Sequence, residues 1–160
     1  MISEIEPKYA LFKMKLNKSP GCDGLTVEFY RIFWLQIKDL LINSLNEGYQ
    51  QGQLSHTQKQ SIISLIFKKG DLENWRPISL LNIDYKILTS CLANRLQIVL
   101  PDIIHLDQQG YIKGGKIAFN IRQIQDIIDH AEKLDLEGAI MFLDFKKAFD
   151  TVNRDFMLDT

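Results

Sequence analysis

Asp144 closes an apolar run, Ile140-Met141-Phe142-Leu143, and Lys146 and Lys147 follow it closely. A buried strand holds its side chains in place and its C-terminal end opens toward substrate, so a carboxylate there is well positioned to ligate a metal ion. The same position also suits a simple turn cap, and the pattern by itself leaves both readings open. Gly110 to Lys116 spells a second pattern, G-x-x-x-x-G-K. A phosphate-cradling loop of that kind needs Ser or Thr next, to set a hydroxyl on Mg²⁺, and it directly follows a hydrophobic strand. Here Ile117 comes next, and His105-Leu106-Asp107-Gln108-Gln109 is polar, which argues against a P-loop nucleotidase. Cations that could meet phosphate occur as Lys13, Lys15 and Lys18, as Lys68 and Lys69, as Lys113 and Lys116, and as Lys146 and Lys147. Cys22, Cys91, His56, His105 and His130 are scattered and show no zinc-ligand spacing.

Composition sets the frame for these residues. The 160 residues are 46% hydrophobic and 24% charged, enough for one domain with a core. The net charge of −1 gives no support to binding of nucleic acid over the whole surface, and leaves room for a local basic groove. The segment Met1 to Lys8 is acidic and lacks the apolar core of a signal peptide. No apolar run approaches the roughly 20 residues of a membrane span. An intracellular, reducing compartment is expected, with nucleus or cytoplasm undetermined. Oligomeric state is not readable.

The periodicity predicts a helix-rich α+β chain. Ser3 and Glu6 have capping-box spacing ahead of a helix over 4–16, with Ala10, Leu11 and Met14 inward. Lys18 to Gly24 reads as a loop. Thr26 caps a helix over 27–50, with Phe29, Ile32, Phe33, Ile37, Leu40, Leu41 and Leu45 inward. Residues 61–68 and 75–81 form a hairpin turned by Lys69-Gly70-Asp71, and Pro77 demotes the second strand to an edge. A helix over 84–100 buries Tyr85, Leu88, Leu92, Leu96 and Val99 and stops at Pro101-Asp102. The stretch 107–116 is a loop. A helix over 118–134 turns Ile121, Ile124, Ile127, Ile128 and Ala131 inward, and Gly138 breaks it. Residues 139–145 form a buried strand, and a last helix begins near Asn153 or Arg154.

Several motifs stand in a fixed order along nearly the whole chain. They are Lys18-Ser19-Pro20-Gly21-Cys22-Asp23-Gly24-Leu25 with Glu28-Phe29-Tyr30, Asn74-Trp75-Arg76-Pro77-Ile78-Ser79-Leu80-Leu81, and Leu92-Ala93-Asn94-Arg95-Leu96. Asp107-Gln108-Gln109-Gly110-Tyr111-Ile112-Lys113-Gly114, Asn120-Ile121-Arg122, and Leu143-Asp144-Phe145-Lys146-Lys147-Ala148-Phe149-Asp150 follow. Each is weak alone; in this order they resemble the reverse transcriptases of LINE-type (non-LTR) retrotransposons.

The resemblance implies a right-hand polymerase. Residues of about 1–137 would supply the fingers and preceding helices, and 138–160 the start of the palm with its first strand. The activity implied is RNA-directed DNA synthesis, with RNA template, DNA primer and dNTPs as partners and no membrane. Asp144 would bind two Mg²⁺ ions, with Mn²⁺ as an alternative, and the Phe145 backbone carbonyl would ligate the second. Phe149 matches a steric gate against the ribonucleotide 2′-hydroxyl. Its aromatic bulk equally suits a plain core position. Arg76 matches an arginine on the incoming triphosphate, where a planar donor fork suits phosphate. Lys68 and Lys69 would touch triphosphate or template backbone, or form a solvated turn. Gln108, Gly110, Tyr111, Lys113 and Lys116 would lie along template or primer. Asp150 is read as supporting structure. Many members carry arginine after the glycine matching Gly114; here Gly115 and then Lys116 stand. The family's second palm motif has two adjacent aspartates, and these 160 residues contain no Asp-Asp pair. The chain alone is therefore expected to have little activity, leaving a non-catalytic nucleic-acid-binding remnant as the alternative.

Overall fold

Ser3 and Glu6 meet at the start of the first helix, but Glu4 stands at its N-cap with no side-chain cap, and the helix ends at Lys13 rather than at 16. In the computed structural model, which describes residues 1–67, 75–144 and 153–159, the Ser3 N–H and Oγ–H both donate to Glu6 Oε2, at 2.9 and 3.0 Å. Helix α1 runs Ile5–Lys13 and buries Pro7, Ala10 and Leu11, with Met14 packed on the same core. At its C-terminal end the Leu11 carbonyl accepts the Met14 N–H at 3.2 Å, and the carbonyls there have room for further donors. The Arg31 guanidinium adds to this, donating to the carbonyls of Leu11 at 3.2 Å, Phe12 at 2.8 Å and Met14 at 2.6 Å.

Thr26 caps α2, Val27–Ile32, by accepting from the Phe29 N–H at 3.4 Å. The single helix expected over 27–50 is two. Phe33 leaves helical geometry at φ −94°, ψ 15°, and α3 resumes as Trp34–Gln51. Val27, Tyr30, Trp34, Leu41 and Leu45 are buried, while Ile32 and Leu40 are more than 70% exposed and Phe33 also faces out. At about 3.6 residues per turn the buried five form one stripe that runs unbroken across Phe33, and Ile32, Phe33 and Leu40 fall off it, so the expected inward set named the wrong face. Gly52, at φ 64°, ends α3 in the left-handed conformation.

Strands β1, Ser61–Phe67, and β2, Trp75–Leu81, pair antiparallel from Ser61↔Leu81 to Phe67↔Trp75. Pro77, opposite Leu65, is tolerated because a two-stranded ribbon consists of edges. The Phe67 and Trp75 rings meet edge-on, 5.3 Å between centroids, at the end nearest the turn.

Helix α4 runs Ile83–Ile103. Its buried positions are Ile83, Ile87, Leu88 and Cys91, with Leu92 partly buried against them, whereas Leu96 and Val99 are exposed. Of the expected stripe only Leu88 is buried and Tyr85 and Leu92 are half-buried, while Ile83, Ile87 and Cys91 take the core positions instead. Pro101 lies inside the helix rather than after it. In the last turn it forfeits only its own N–H bond, and the Ile104 N–H still closes on the Leu100 carbonyl at 3.0 Å. These elements form one unit, Met1–Gln108, and a second unit covers Gln109–Thr160.

In the second unit α5 spans Ile117–Lys133 and buries none of its residues. Ile121, Ile127 and Ile128 are exposed and Ile124 and Ala131 half-buried, so the helix is amphipathic as predicted but its apolar face is uncovered. Its end precedes Gly138. Asp135 takes φ 54°, the Leu136 N–H reaches the Ala131 carbonyl at 2.9 Å, and the Asp135 N–H reaches Glu132 at 3.3 Å. That is a Schellman closure with aspartate in the position glycine usually fills. The strand expected over 139–145 is absent from its described part, 139–144. Met141, Phe142 and Leu143 are each more than 75% exposed and join no ladder. Apolar and β-prone residues become a buried strand only where neighbouring strands receive them, and none pairs here among the described residues. Asn153 Oδ1 accepts from the Asp155 and Phe156 N–H groups and starts α6, Arg154–Asp159.

Candidate nucleotide and nucleic-acid site

The hairpin presents Arg76 on β2, opposite Ile66, on an exposed ribbon. Its guanidinium makes no ion pair among the described residues. Lys68 and Lys69, expected at the hairpin tip, and Phe145, Phe149 and Asp150 lie outside the described residues.

A loop segment seats the hairpin. The Gly24 N–H bonds the Gly21 carbonyl at 3.2 Å and the Leu25 N–H bonds Asp23 Oδ1 at 3.0 Å, so Gly21-Cys22-Asp23-Gly24 forms a tight turn. A Cβ on Gly21 would overlap the Asn82 side-chain oxygen. Asn82, only 2% exposed, accepts from the Asp23 N–H and the Cys22 thiol at 3.4 Å and donates to the Thr57 carbonyl at 3.0 Å. It stands at the N-cap of α4 yet spends its amide on the loop and the hairpin approach rather than on its own helix. Sequence reading passed over Asn82. The signal was there: an asparagine directly after Leu80-Leu81 and before an apolar helix.

The Leu92-Ala93-Asn94-Arg95-Leu96 motif has a structural task. Arg95 Nε and Nη2 meet Glu6 Oε1 and Oε2 at 2.6 and 3.0 Å, and Nη2 also reaches the Met1 carbonyl at 2.8 Å. The Arg95 hydrogen bonds hold the Glu6 carboxyl down at about 2, against partial desolvation. Asn46, buried, exchanges two bonds with the Ile2 backbone at 2.7 and 3.1 Å. Burial pushes the Cys91 thiol up to about 11, which keeps it unreactive.

In the second unit the loop before α5 is clasped shut. Gln109 Oε1 accepts from the Lys116 N–H at 3.1 Å, and the Gly115 N–H bonds the Ile112 carbonyl at 3.0 Å. A Cβ on Gly115 would overlap the Gln109 carbonyl oxygen, so that position accepts no side chain. This gives the physical reason for glycine where arginine was the family expectation, and makes Lys116 the nearest cation. Gly114 at φ 86° and Tyr111 at φ 62° bend the loop. A left-handed tyrosine is uncommon, and this one is 91% exposed. Gly110 and Lys113 share the loop and Lys113 is exposed, while Gln108 falls at the end of the first unit, its N–H on the His105 carbonyl at 3.0 Å. Turns and coil, not a strand, precede Gly110, so the G-x-x-x-x-G-K reading lacks its required context.

Asp144 is exposed and makes no ion pair among the described residues. No group of three or more His, Cys, Asp or Glu gathers around a metal-sized space among those residues. The donor itself fits Mg²⁺, a hard ion commonly held by one or two carboxylates with substrate phosphates and water. No helix among the described residues is long and apolar enough to cross a membrane.

Comparison with known proteins identifies the framework. Residues 66–160 match the family model described as reverse transcriptase (RNA-dependent DNA polymerase). The chain is 40% identical over 158 residues to the transposon TX1 uncharacterized 149 kDa protein of Xenopus laevis, covering 97% of this chain and 12% of that protein. It is 30% identical over 138 residues to the Pol polyprotein of the type-1 retrotransposable element R2 of Popillia japonica, 84% of this chain and 18% of that one. It is 26% identical over 145 residues to a putative 115 kDa protein of element R1DM of Drosophila melanogaster, 88% of this chain and 14% of that one. The chain thus spans less than a fifth of the length of each of these relatives. An α+β chain carrying these motifs in order, with this match across its C-terminal half and more, belongs to the reverse transcriptase family, among the proteins of LINE-type non-LTR retrotransposons.

Proposed function

We propose that this chain supplies the fingers, over about 1–137, and the opening of the palm, over 138–160, of a right-hand polymerase that copies RNA into DNA. The observation that carries this is the family match over residues 66–160, which holds Arg76, the 107–116 loop and Asp144 in one span. Asp144 would hold Mg²⁺, aided by the Phe145 carbonyl. When bound, the metal supplies charge neutralisation at the nucleotide phosphates and activation of the primer hydroxyl. Arg76, from an exposed ribbon, would grip the incoming triphosphate, with Lys68 and Lys69 beside the same turn. Phe149 would exclude the ribonucleotide 2′-hydroxyl by bulk. Gln108, Gly110, Tyr111, Lys113 and Lys116 would track the template or primer. A clasped loop with one solvent-facing ring suits that task, because little ordering remains to be done when the strand arrives.

Steady-state primer extension by an enzyme carrying this segment tests the assignment. Arg76→Ala should raise the KM for dNTP about tenfold or more, the loss of one charge-assisted phosphate contact, with a smaller change in kcat. An unchanged KM would remove Arg76 from the nucleotide site.

A further inference from the structure

The direction of the hairpin is set where its strands leave the helices. The ladder from Ser61↔Leu81 to Phe67↔Trp75 fixes β1 against β2 and leaves the tilt of the pair to contacts outside it. Of β2, Leu80 and Leu81 are half-buried, so the described ribbon meets the core of its own unit at its base. A buried, fully bonded amide is a stiff means of holding such a base, because each bond it would lose is lost away from water.

Two buried amides stand there. Gln58 accepts from the Ser55 N–H at 3.1 Å and donates to Ser44 Oγ at 3.4 Å, which ties the turn before β1 to α3. The neighbouring Thr57 carbonyl is thereby a fixed point. Asn82, the residue after β2, donates to that carbonyl at 3.0 Å. Its Oδ1 accepts from the Asp23 N–H at 3.4 Å, and Gly21 comes so close that a Cβ there would overlap it. One amide thus joins the approach to β1, the exit from β2 and the turn at Gly21 to Gly24. An asparagine at an N-cap ordinarily bonds the first turn of its own helix. Asn82 makes no such bond to α4 and spans the base of the hairpin instead.

We infer, resting on the reading of Arg76 as the triphosphate contact, that Asn82 is a positioning residue for the incoming nucleotide: its amide sets the tilt of the hairpin and with it the place of the Arg76 guanidinium. Arg76 precedes Leu81 on β2 and stands about 17 Å out from the base at roughly 3.3 Å per residue. Over that length a tilt of about 5° carries the guanidinium about 1.5 Å. A displacement of about 1 Å is enough to cost a binding group much of its effect. Asn82 acts only through Arg76 in this role, so its loss costs no more than the loss of Arg76 itself.

Primer extension by an enzyme carrying this segment, with the KM for dNTP measured in a double-mutant cycle of Asn82 and Arg76, tests the inference. Asn82→Ala should raise KM about 3- to 10-fold with kcat within about twofold. In the Arg76→Ala background the same change should add less than about twofold, because nothing is left to position. Asn82→Ser keeps a cap-type side chain at α4 but is too short to span from the Gly21 turn to Thr57, and should behave like Asn82→Ala. Glu6→Gln loosens α1 from α4 away from the hairpin and should leave KM within about twofold, which separates positioning from a general loss of stability. If Arg76→Ala raises KM and Asn82→Ala does not, the inference falls and the reading of Arg76 stands. Equal rises from Asn82→Ala in both backgrounds, or a rise of the same size from Glu6→Gln, also overturn it, since Asn82 would then act on the fold as a whole. Loss of cooperative melting in both Asn82 variants makes Asn82 a folding residue and overturns it too. An unchanged KM for Arg76→Ala removes the reading of Arg76 and the inference together.

Discussion

Glu6→Gln is the most informative change to the scaffold. The carboxylate accepts from Arg95 at 2.6 and 3.0 Å and from Ser3 at 2.9 and 3.0 Å, joining α1 to the middle of α4. A glutamine keeps the shape but loses the charge and turns one acceptor into a donor. The drop of the carboxyl from 4.5 to about 2 sets an upper bound of roughly 3 kcal/mol on its linkage to folding. The pair is partly solvated, with 38% of the Arg95 side chain and 28% of the Glu6 side chain exposed. Solvent screening brings the expected cost at neutral pH to about 1–2 kcal/mol. A folded-state value below the unfolded one means that this stability is fully present above pH 4.5 and is lost as pH falls toward 2. Urea unfolding of both proteins at several pH values measures it. The gap between them should be about 1–2 kcal/mol at pH 7 and close over that acid window. A gap below about 0.3 kcal/mol at pH 7, or one that persists at pH 2, would refute the reasoning.

Asn82→Ala should destabilise by about 2 kcal/mol in the same assay, because the Thr57 carbonyl and the Asp23 N–H lose a buried partner; a loss under about 0.5 kcal/mol would show the junction to be slack. Gly115→Ala should force the 109–116 loop open against the Gln109 carbonyl. Its readout is oligouridine binding by the full chain, expected to weaken several-fold with an unchanged salt slope, because no cation is removed; wild-type affinity would mean that the loop shape is irrelevant to binding.

Local signals were the legible ones. Ser3 with Glu6, Thr26, the hairpin over 61–67 and 75–81, and the start at Asn153 all act within a few residues and appear as read. Features that depend on neighbours misled. Leu96 and Val99 continue the expected period of α4 but are exposed. Ile140 to Leu143 has strand-forming residues but pairs with no strand among the described residues. Phe33 breaks a helix whose apolar period continues on either side, so no periodicity argument could see it. Of the candidate site, Arg76, Tyr111 and Asp144 are proposed on family motifs alone. Asn82 and Gln109, which hold the surrounding loops, were missed because their partners are backbone groups distant in sequence or hidden inside a turn.

The central claim is that Asp144 is a metal-binding carboxylate of an RNA-templated DNA polymerase. Primer extension on an RNA template with Mg²⁺, comparing wild type and Asp144→Asn in an enzyme carrying this segment, measures it directly. Replacing one metal-binding oxygen by an amide should cut kcat by about a thousandfold or more while the protein still binds template–primer. Extension by Asp144→Asn within about threefold of wild type would contradict the account.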